Sequence, residues 1–304
     1  KEMDISIYKW KQCSPLLELL KGCAKKKDLS KGSKLHAHIL NRGLHKKNPY
    51  VASSLINMYA KCGVLENAQQ VLEELPTRDV VSWSALIAGY AQHSRGHDAL
   101  DCFSRMQREG ISPNAITFIS ILKACGSIGA IEKGKQIHDE IVNKGLLSKN
   151  IVLANALVDM YAKCGLVAKA RDVFDDLPTR NVVTWNTVIA GYTQHEQPHK
   201  ALDCFVRMQR EGFSPSVATY ASILKVCGNI GAIDKGIQIH DEIIGKGLLN
   251  HNIALGNALV NMYAKCGLLS RAHKVHEELA NRDVVSWNAL ITGYNQEGKG
   301  HEAL

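Results

Sequence analysis

Apolar residues recur every three or four positions along almost the whole chain. Leu86 and Tyr90 are spaced in this way, and Phe103 and Met106 continue the pattern after a predicted break at Gly96. This spacing places apolar side chains on one face of an α-helix. The pattern predicts pairs of amphipathic helices joined by glycine-containing or polar turns, and it predicts no β-rich segment.

The same pattern occurs three times at an interval of 102 residues. The segment MYAKCGVLENAQQVLEELPTRDVVSWSALIAGY (58–90) returns in close copies at 160–192 and 262–294. Each period divides into repeats of 36, 31 and 35 residues. The predicted boundaries are 13–48, 49–79, 80–114, 115–150, 151–181, 182–216, 217–252, 253–283 and a partial repeat at 284–304, preceded by a cap at 1–12 that includes Tyr8 and Trp10. Such repeats stack on one another, so we predict an all-α, right-handed superhelical α-solenoid of helix-turn-helix repeats with one continuous core.

Composition and charge narrow the class of protein. No run approaches the roughly 20 apolar residues that a membrane helix needs, which predicts a soluble protein without membrane contact. Lys and Arg outnumber Asp and Glu by 37 to 29, a modest basic excess that is compatible with a polyanionic partner. Eight of the nine cysteines recur at equivalent positions, which predicts small, buried, reduced thiols in an intracellular compartment. Because the pattern is interrupted at Leu304, we expect a fragment of a longer protein.

The repeats resemble a known family. The segment VVSWSALIAGYAQHSRGHDALDCFSRMQREGISPN (80–114) resembles a pentatricopeptide repeat, and the alternation of three repeat lengths is similar to the long, short and standard repeats of the plant PLS subclass. ILKACGSIGAIEKGKQIHDEIVNKG (121–145) resembles the long type and NALVDMYAKCGLVAKARDVFDDLPTRN (155–181) the short type. The resemblance implies single-stranded RNA binding in the mitochondrial matrix or chloroplast stroma. The PLS subclass further implies the specificity module of an organellar C-to-U RNA editing factor, with any deaminase chemistry supplied from outside this chain.

The resemblance also implies which residues read the RNA bases. In the family, the fifth and last residues of each repeat hydrogen-bond to one unstacked base. The corresponding base-reading residues here are the pairs Ser53/Asp79, Ser84/Asn114, Asn155/Asn181, Asn186/Ser216 and Asn257/Asp283, followed by Asn288. By the family's pairing habits these pairs predict the target 5′-N-G-A-N-Y-C-N-U-3′. The unassigned bases face the long repeats, whose fifth residues are the apolar Leu17, Ile119 and Ala221.

Short polar residues at helix ends have a second interpretation, as helix caps and turn residues. The repeats are otherwise near copies, yet their fifth residues change between Ser and Asn and their last residues among Asp, Asn and Ser. This coordinated variation favours base reading over capping.

Two further sets of residues follow from the resemblance. The second residue of a repeat would lie as an apolar wedge between successive bases, the alternative being core packing, which we favour for Ala254. The wedge residues would be Val81, Val152, Val183 and Val285, together with Tyr50. Equivalent lysines in AKCG would neutralise phosphates, with a solvated surface role as the alternative; they are Lys61, Lys163 and Lys265.

Catalytic and metal motifs are weak. HEQPH (195–199) matches the HExxH string of zinc proteases, but Pro198 interrupts it and the equivalent segment reads HSRGH, so we predict a turn. HDE recurs at 138–140 and 240–242 without the PCxxC of zinc deaminases. We therefore predict no catalytic site, no metal and no cofactor. The alternative function is a protein-interaction scaffold without RNA readout, and the long repeats are also candidates for binding accessory organellar editing proteins.

Overall fold

The computed structural model describes the backbone of residues 2–249, 252–279, 281–299 and 301, and the side chains of the same residues except 2–13 and 47. Within these ranges the regular structure is entirely helical. The chain divides into two compact units, Lys1–Cys164 and Gly165–Leu304, here called the N-terminal unit and the C-terminal unit. The single continuous core expected of stacked repeats stays a prediction.

The N-terminal unit is built from helical hairpins. Its helices are α1 (Glu2–Lys26), α2 (Leu29–Asn41), α3 (Leu44–Lys47), α4 (Pro49–Cys62), α5 (Leu65–Glu73), α6 (Val80–Gln92), α7 (Gly96–Arg108), α8 (Ala115–Ile128), α9 (Ile131–Asn143) and α10 (Ile151–Lys163), with a 3-10 turn at Leu147–Lys149. α1, α4, α6, α8 and α10 form a row in which each helix packs against the next, and we call them first helices. The second helices α2, α5, α7 and α9 each pack on the first helix that precedes them.

The C-terminal unit repeats this arrangement. Its helices are α11 (Val167–Asp175), α12 (Val182–Gln194), α13 (Pro198–Arg210), α14 (Val217–Ile230), α15 (Ile233–Gly245), α16 (Ile253–Lys265), α17 (Leu269–Glu278) and α18 (Val284–Gln296). The first helices α12, α14, α16 and α18 pack side by side, and α13, α15 and α17 are second helices. Each unit therefore has two layers.

The starts of the first helices follow the sequence pattern closely. From α4 onward they begin at Pro49, Val80, Ala115, Ile151, Val182, Val217, Ile253 and Val284, which are also the first residues of the predicted repeats. The assignment of these repeats to long, short and standard types stays a prediction. α1 runs without interruption from Glu2 to Lys26, so residues 2–12 of the predicted cap 1–12 are continuous with the following helix. The side chains of Tyr8 and Trp10 lie outside the described residues.

The turn within the repeat 80–114 differs slightly from the prediction. Gly96 is the first residue of α7 and not the break, which lies at Ser94 and Arg95, where Ser94 has φ +59°. A Cβ atom on Gly96 would lie 2.5 Å from Cγ2 of Ile128 on α8. Glycine is therefore required here by the close approach of α7 to α8, and the chain reverses direction one residue earlier.

Aromatic side chains fill both cores between the layers. Trp83 and Phe103 are fully buried in the N-terminal unit, and Trp185 and Phe205 occupy the equivalent places in the C-terminal unit. Trp83 Nε1 also donates a hydrogen bond to Glu109 Oε2 at 3.1 Å, so its polar group is satisfied. The predicted apolar helix faces thus form the packed interior of each unit.

The eight cysteines with described side chains are free thiols. Burial raises the pKa of Cys102 and Cys125 to about 12, and that of Cys204 and Cys227 to about 11, so these thiols stay protonated. They act as small core residues. Among the helices described, none combines the length and apolar character required of a membrane span.

Candidate nucleic-acid interface

The last residues of the five predicted base-reading pairs all cap first helices. The side chains of Asp79, Asn114, Asn181, Ser216 and Asp283 each accept the backbone N–H of the residue three positions on, at 2.8 to 3.3 Å. In return, a hydroxyl at that later position accepts the N–H of the capping residue, which completes a capping box. The capping interpretation is therefore correct for these five residues. All five side chains remain half-exposed, so capping leaves them accessible.

The predicted fifth residues lie inside first helices, one turn after the start. Capping is therefore wrong as an explanation for them. Ser53 and Ser84 are buried, whereas Asn155, Asn186 and Asn257 are half-buried and Asn288 is exposed. Asparagine is a poor helix former compared with Ala or Leu, which leaves these three half-buried asparagines without a role in local helix stability.

The structure brings two of the predicted pairs into direct contact. Asn186 Nδ2 donates to Ser216 Oγ at 3.0 Å. Asn257 Nδ2 lies 3.1 and 2.9 Å from the two carboxylate oxygens of Asp283. The backbone N–H of Ser286 and then the Asn257 amide hold the pKa of Asp283 below its usual value, so the carboxylate is charged at neutral pH. Fifth and last residues thus form joint polar groups.

The other pairs are arranged differently. Ser84 Oγ lies 2.7 Å from Thr117 Oγ1, which donates to Asn114 Oδ1 at 3.0 Å, so Ser84 and Asn114 are connected through a third residue. Ser53 Oγ donates to the carbonyl oxygen of Tyr50 at 3.2 Å. In the N-terminal unit, Asn155 Oδ1 is buried without a hydrogen-bond partner. Its predicted partner, Asn181, belongs to the C-terminal unit.

The predicted wedge residues are exposed, and core packing is wrong as an explanation for them. Val81, Val152, Val183 and Val285 are 45% to 58% exposed at the starts of four first helices. Tyr50 is equally exposed and Ala254 is exposed as well. Sequence reasoning missed Ile116, which is 61% exposed at the same position of the repeat 115–150. Its place, second in the repeat, was the signal that could have identified it.

Two neighbouring concavities in the C-terminal unit collect several predicted residues. One, of about 240 Å³, lies between α14 and α16 and is lined by Asn257, Lys265 and Val285, among others. The next, of about 290 Å³, lies between α16 and α18 and shares Lys265 and Val285 but also contains Asn288. Val285 therefore lies between two adjacent sites. Both lie near the lower end of the roughly 300–1,000 Å³ range of ligand pockets.

The three equivalent lysines are exposed and differ in their partners. Lys61 Nζ donates to Gln92 Oε1 and Lys265 Nζ to Asn229 Oδ1, both at 2.7 Å, and both acceptors are neutral amides. Lys163 Nζ instead forms an ion pair with Asp159 at 2.7 Å. Lys61 and Lys265 therefore fit the phosphate prediction better than Lys163 does.

A fourth lysine at this surface was missed by sequence reasoning. Lys225, in the repeated segment ILKVC, lines the same concavity as Asn257 and Lys265. The equivalent segment ILKAC carries Lys123 one period earlier. This recurrence was the signal that could have identified it.

The metal-like string at 195–199 is divided between two helices. His195 is the C-cap residue that follows α12, Glu196 has φ +54°, and Pro198 begins α13. The two histidines therefore do not lie one turn apart on one helix. Among the residues described, no group of three or more His, Cys, Asp or Glu side chains could hold a metal ion.

Rows of first helices, several of which carry a polar pair near the start, define a repeat protein built from helical hairpins. The sequence profile described as PPR repeat family matches residues 78–127 and 180–229, and that described as PPR repeat matches 50–80, 152–182, 257–284 and 285–304. The chain belongs to the pentatricopeptide repeat family.

Relatives from Arabidopsis thaliana extend this assignment. A mitochondrial pentatricopeptide repeat-containing protein is 43% identical over 94% of this chain and 45% of its own length. A chloroplastic one is 37% identical over 94% of this chain and 46% of its own length. These names support the predicted organellar localisation. The chain spans less than half the length of these curated relatives.

Solved structures agree in fold. The crystal structure of the maize pentatricopeptide repeat protein PPR10 has a TM-score of 0.74 at 20% identity, over 90% of this chain and 40% of that one. PPR10 has also been solved in complex with an 18-nt psaJ RNA element, with the same TM-score and identity and 41% of that chain covered. The likeness confirms the predicted fold class, an α-solenoid of helix-turn-helix repeats.

Proposed function

We propose that this chain binds single-stranded RNA and reads one base with each repeat, as the specificity module of an organellar C-to-U RNA editing factor. The observation that carries the proposal is the direct hydrogen bonding of fifth and last residues, Asn186 with Ser216 and Asn257 with Asp283. These residues are far apart in sequence, yet each pair forms one half-exposed polar group beside an exposed apolar side chain. A helix cap alone does not require the asparagine partner.

The chemistry of the two pairs differs in a way that suits two pyrimidines. In Asn186/Ser216, the second amide hydrogen and the hydroxyl are donors, and the Watson–Crick edge of cytosine offers O2 and N3 as acceptors. In Asn257/Asp283, the carboxylate only accepts, and uracil offers its N3–H as a donor. The pairs therefore favour C at the sixth base and U at the eighth base of 5′-N-G-A-N-Y-C-N-U-3′.

The surroundings of the pairs support the same function. Val285, which lines both concavities, suits a wedge that separates successive bases. Lys265 lines both concavities and Lys225 lines the one between α14 and α16, and both supply positive charge for the phosphates. The RNA-bound structure of PPR10 supports RNA as the partner class, since that protein shares this fold.

The editing role rests on the repeat lengths. The order of 36, 31 and 35 residues is similar to the PLS subclass, in which the repeats position a target cytidine. Conversion of cytidine to uridine needs chemistry that these repeats do not supply, so a deaminase domain or partner would provide it. The mitochondrial and chloroplastic relatives favour one of the two organelles as the place of the proposed activity.

Fluorescence anisotropy with short labelled RNAs tests the readout. The chain should bind 5′-N-G-A-N-Y-C-N-U-3′ more tightly than a scrambled RNA of the same composition. A change at the sixth base should weaken binding, whereas a change at the fourth base, which faces Ile119, serves as the matched control and should have little effect. Equal binding to target and scrambled RNA, or to neither, would refute the proposal, and the latter outcome would favour a protein-interaction scaffold.

The editing role needs a separate experiment in the source organelle. Depletion of the parent protein should abolish C-to-U conversion at a transcript site that lies next to the bound sequence. Unchanged conversion at every site, with RNA binding intact, would remove the editing role and retain the RNA-binding module.

A further inference from the structure

In five of the repeats the third residue carries a buried hydroxyl with an unassigned function. These residues are at most 1% exposed, and they are Ser82, Thr117, Thr184, Thr219 and Ser286. Each accepts the N–H of the capping residue before it, as a capping box requires. A hydroxyl also has one proton to donate, and the capping box does not determine where that proton goes.

In the repeat that follows Asn186, the proton goes to the base-reading residue itself. Thr219 Oγ1 donates to Asn186 Oδ1 while it accepts the N–H of Ser216 at 2.9 Å. The other end of the amide, Nδ2, donates to Ser216 Oγ. Because Oδ1 and Nδ2 are bonded to different partners, the amide has one orientation. Its remaining N–H is available to a base.

In the repeat that follows Asn257, the third-position hydroxyl donates to the backbone and not to the preceding fifth residue. Ser286 Oγ donates to the backbone carbonyl oxygen of Asp283 at 2.9 Å. Asn257 Oδ1 is consequently buried without a hydrogen-bond partner. The equivalent Ser82 also donates to the backbone, at the carbonyl oxygen of Asp79 and 2.9 Å. Both serines thus donate to the backbone, and in the case of Ser286 the neighbouring Asn257 Oδ1 is left unsupported.

A second threonine, Thr117, contacts the preceding fifth residue in the N-terminal unit, although its own proton is donated to Asn114 Oδ1 at 3.0 Å. Thr117 Oγ1 lies 2.7 Å from Ser84 Oγ, the fifth residue of the preceding repeat. The contact between a third-position threonine and the preceding fifth residue therefore occurs in both compact units, with Ser in one and Asn in the other.

We infer that Thr219 is a positioning residue for base specificity. It orients the amide of Asn186 so that an N–H, and not the carbonyl oxygen, faces the base. This inference rests on the proposed function, and it adds a residue outside the fifth and last positions to the specificity of a repeat. An oriented donor favours the acceptors of cytosine and disfavours a base that presents N–H at the same point. The direction in which the third-position hydroxyl donates then sets how firmly the preceding fifth residue is held.

The test compares C-versus-U preference, which loss of a helix cap alone does not change. Thr219→Val removes the hydroxyl with little change of shape, and should reduce the ratio of affinities for RNAs with C or U at the sixth base by about threefold to tenfold, the effect of one hydrogen bond. Ser286→Ala removes the same capping acceptor from α18 and is the matched control, so it should leave that ratio unchanged. Thermal denaturation of all variants reports whether the cap loss affects folding.

A reciprocal variant keeps the test independent of the stability of Thr219→Val. Ser286→Thr should give Asn257 Oδ1 the donor that it lacks and raise the preference for U over C at the eighth base by about threefold or more. If neither ratio changes while the wild-type chain distinguishes C from U, the positioning role is refuted and the proposed function stands. If the wild-type chain does not distinguish the bases at all, the proposed function fails and this inference fails with it.

Discussion

The substitution Ser216→Asp tests whether a last residue selects the base. The C-terminal unit already contains the product of this change, because Asn257 bonds to Asp283 in the same geometry in which Asn186 bonds to Ser216. Aspartate is as good a helix cap as serine, so α14 should begin as before. The variant therefore changes the chemistry presented to the sixth base and leaves the scaffold in place.

The size of the effect follows from the hydrogen bonds gained and lost. Serine can donate its proton to N3 of cytosine, whereas an ionised aspartate can only accept, and uracil supplies the N3–H that it needs. One good base contact contributes about 1–3 kcal/mol of discrimination. Since about 1.4 kcal/mol corresponds to a tenfold change, the C-to-U affinity ratio should shift by about 5-fold to 150-fold in favour of U.

Anisotropy titrations with two RNAs that differ only in C or U at the sixth base measure this ratio. The reciprocal Asp283→Ser should move the preference at the eighth base from U towards C, which controls for effects of charge on overall affinity. If Ser216→Asp weakens binding to both RNAs equally, or still prefers C as before, Asn186/Ser216 is not a reading pair.

Three further predictions concern stability and charge. Gly89→Ala should lower the free energy of unfolding by up to about 2 kcal/mol, as measured by urea denaturation. Its new Cβ would lie 2.6 Å from Ala60 Cβ, and the resulting strain of about 1–3 kcal/mol opposes the roughly 1 kcal/mol of helix propensity gained. Burial lowers the pKa of His45, so the folded chain favours the neutral ring. The contribution of this residue to stability is therefore present above the pKa of about 6.5 in the unfolded chain and is lost as the pH falls below it. His45→Leu should reduce the loss of thermal stability between about pH 7.5 and 5. Lys265→Gln should reduce the slope of log affinity against log salt by about 0.7, the value for one phosphate contact on a single strand.

Each of these has a control within the chain. Gly22 is helical, and a Cβ added to it would meet nothing within 4 Å, so Gly22→Ala should stabilise by up to about 1 kcal/mol, and equal effects at Gly22 and Gly89 would argue against close packing of α4 and α6. Both ring nitrogens of His45 are buried without a partner, and an undiminished acid sensitivity in His45→Leu would assign the effect to other groups. Lys200, exposed on the second helix α13, should leave the salt slope unchanged when replaced by Gln. A slope altered equally by both lysines would mean that charge acts only at long range.

The sequence by itself determined the positions of the helices and the identity of the repeats. The apolar spacing is local, and the capping residues stand next to the helices that they start, so the beginnings of α6, α12 and α18 at Val80, Val182 and Val284 followed from the pattern. Fold class followed for the same reason. The break at Gly96 was misplaced by one residue because its glycine is required by a neighbouring helix and not by the turn.

Only the tertiary structure decided how the candidate site is assembled. The side chain of Ser216 both caps α14 and bonds to Asn186. From the sequence alone, capping and base reading are alternatives, because a sequence does not show that Asn186 reaches Ser216 from the adjacent first helix. The opposite directions of the hydroxyls of Thr219 and Ser286 are likewise invisible in sequence. These contacts join residues about one repeat apart, and their geometry depends on how neighbouring first helices pack, which local spacing does not encode.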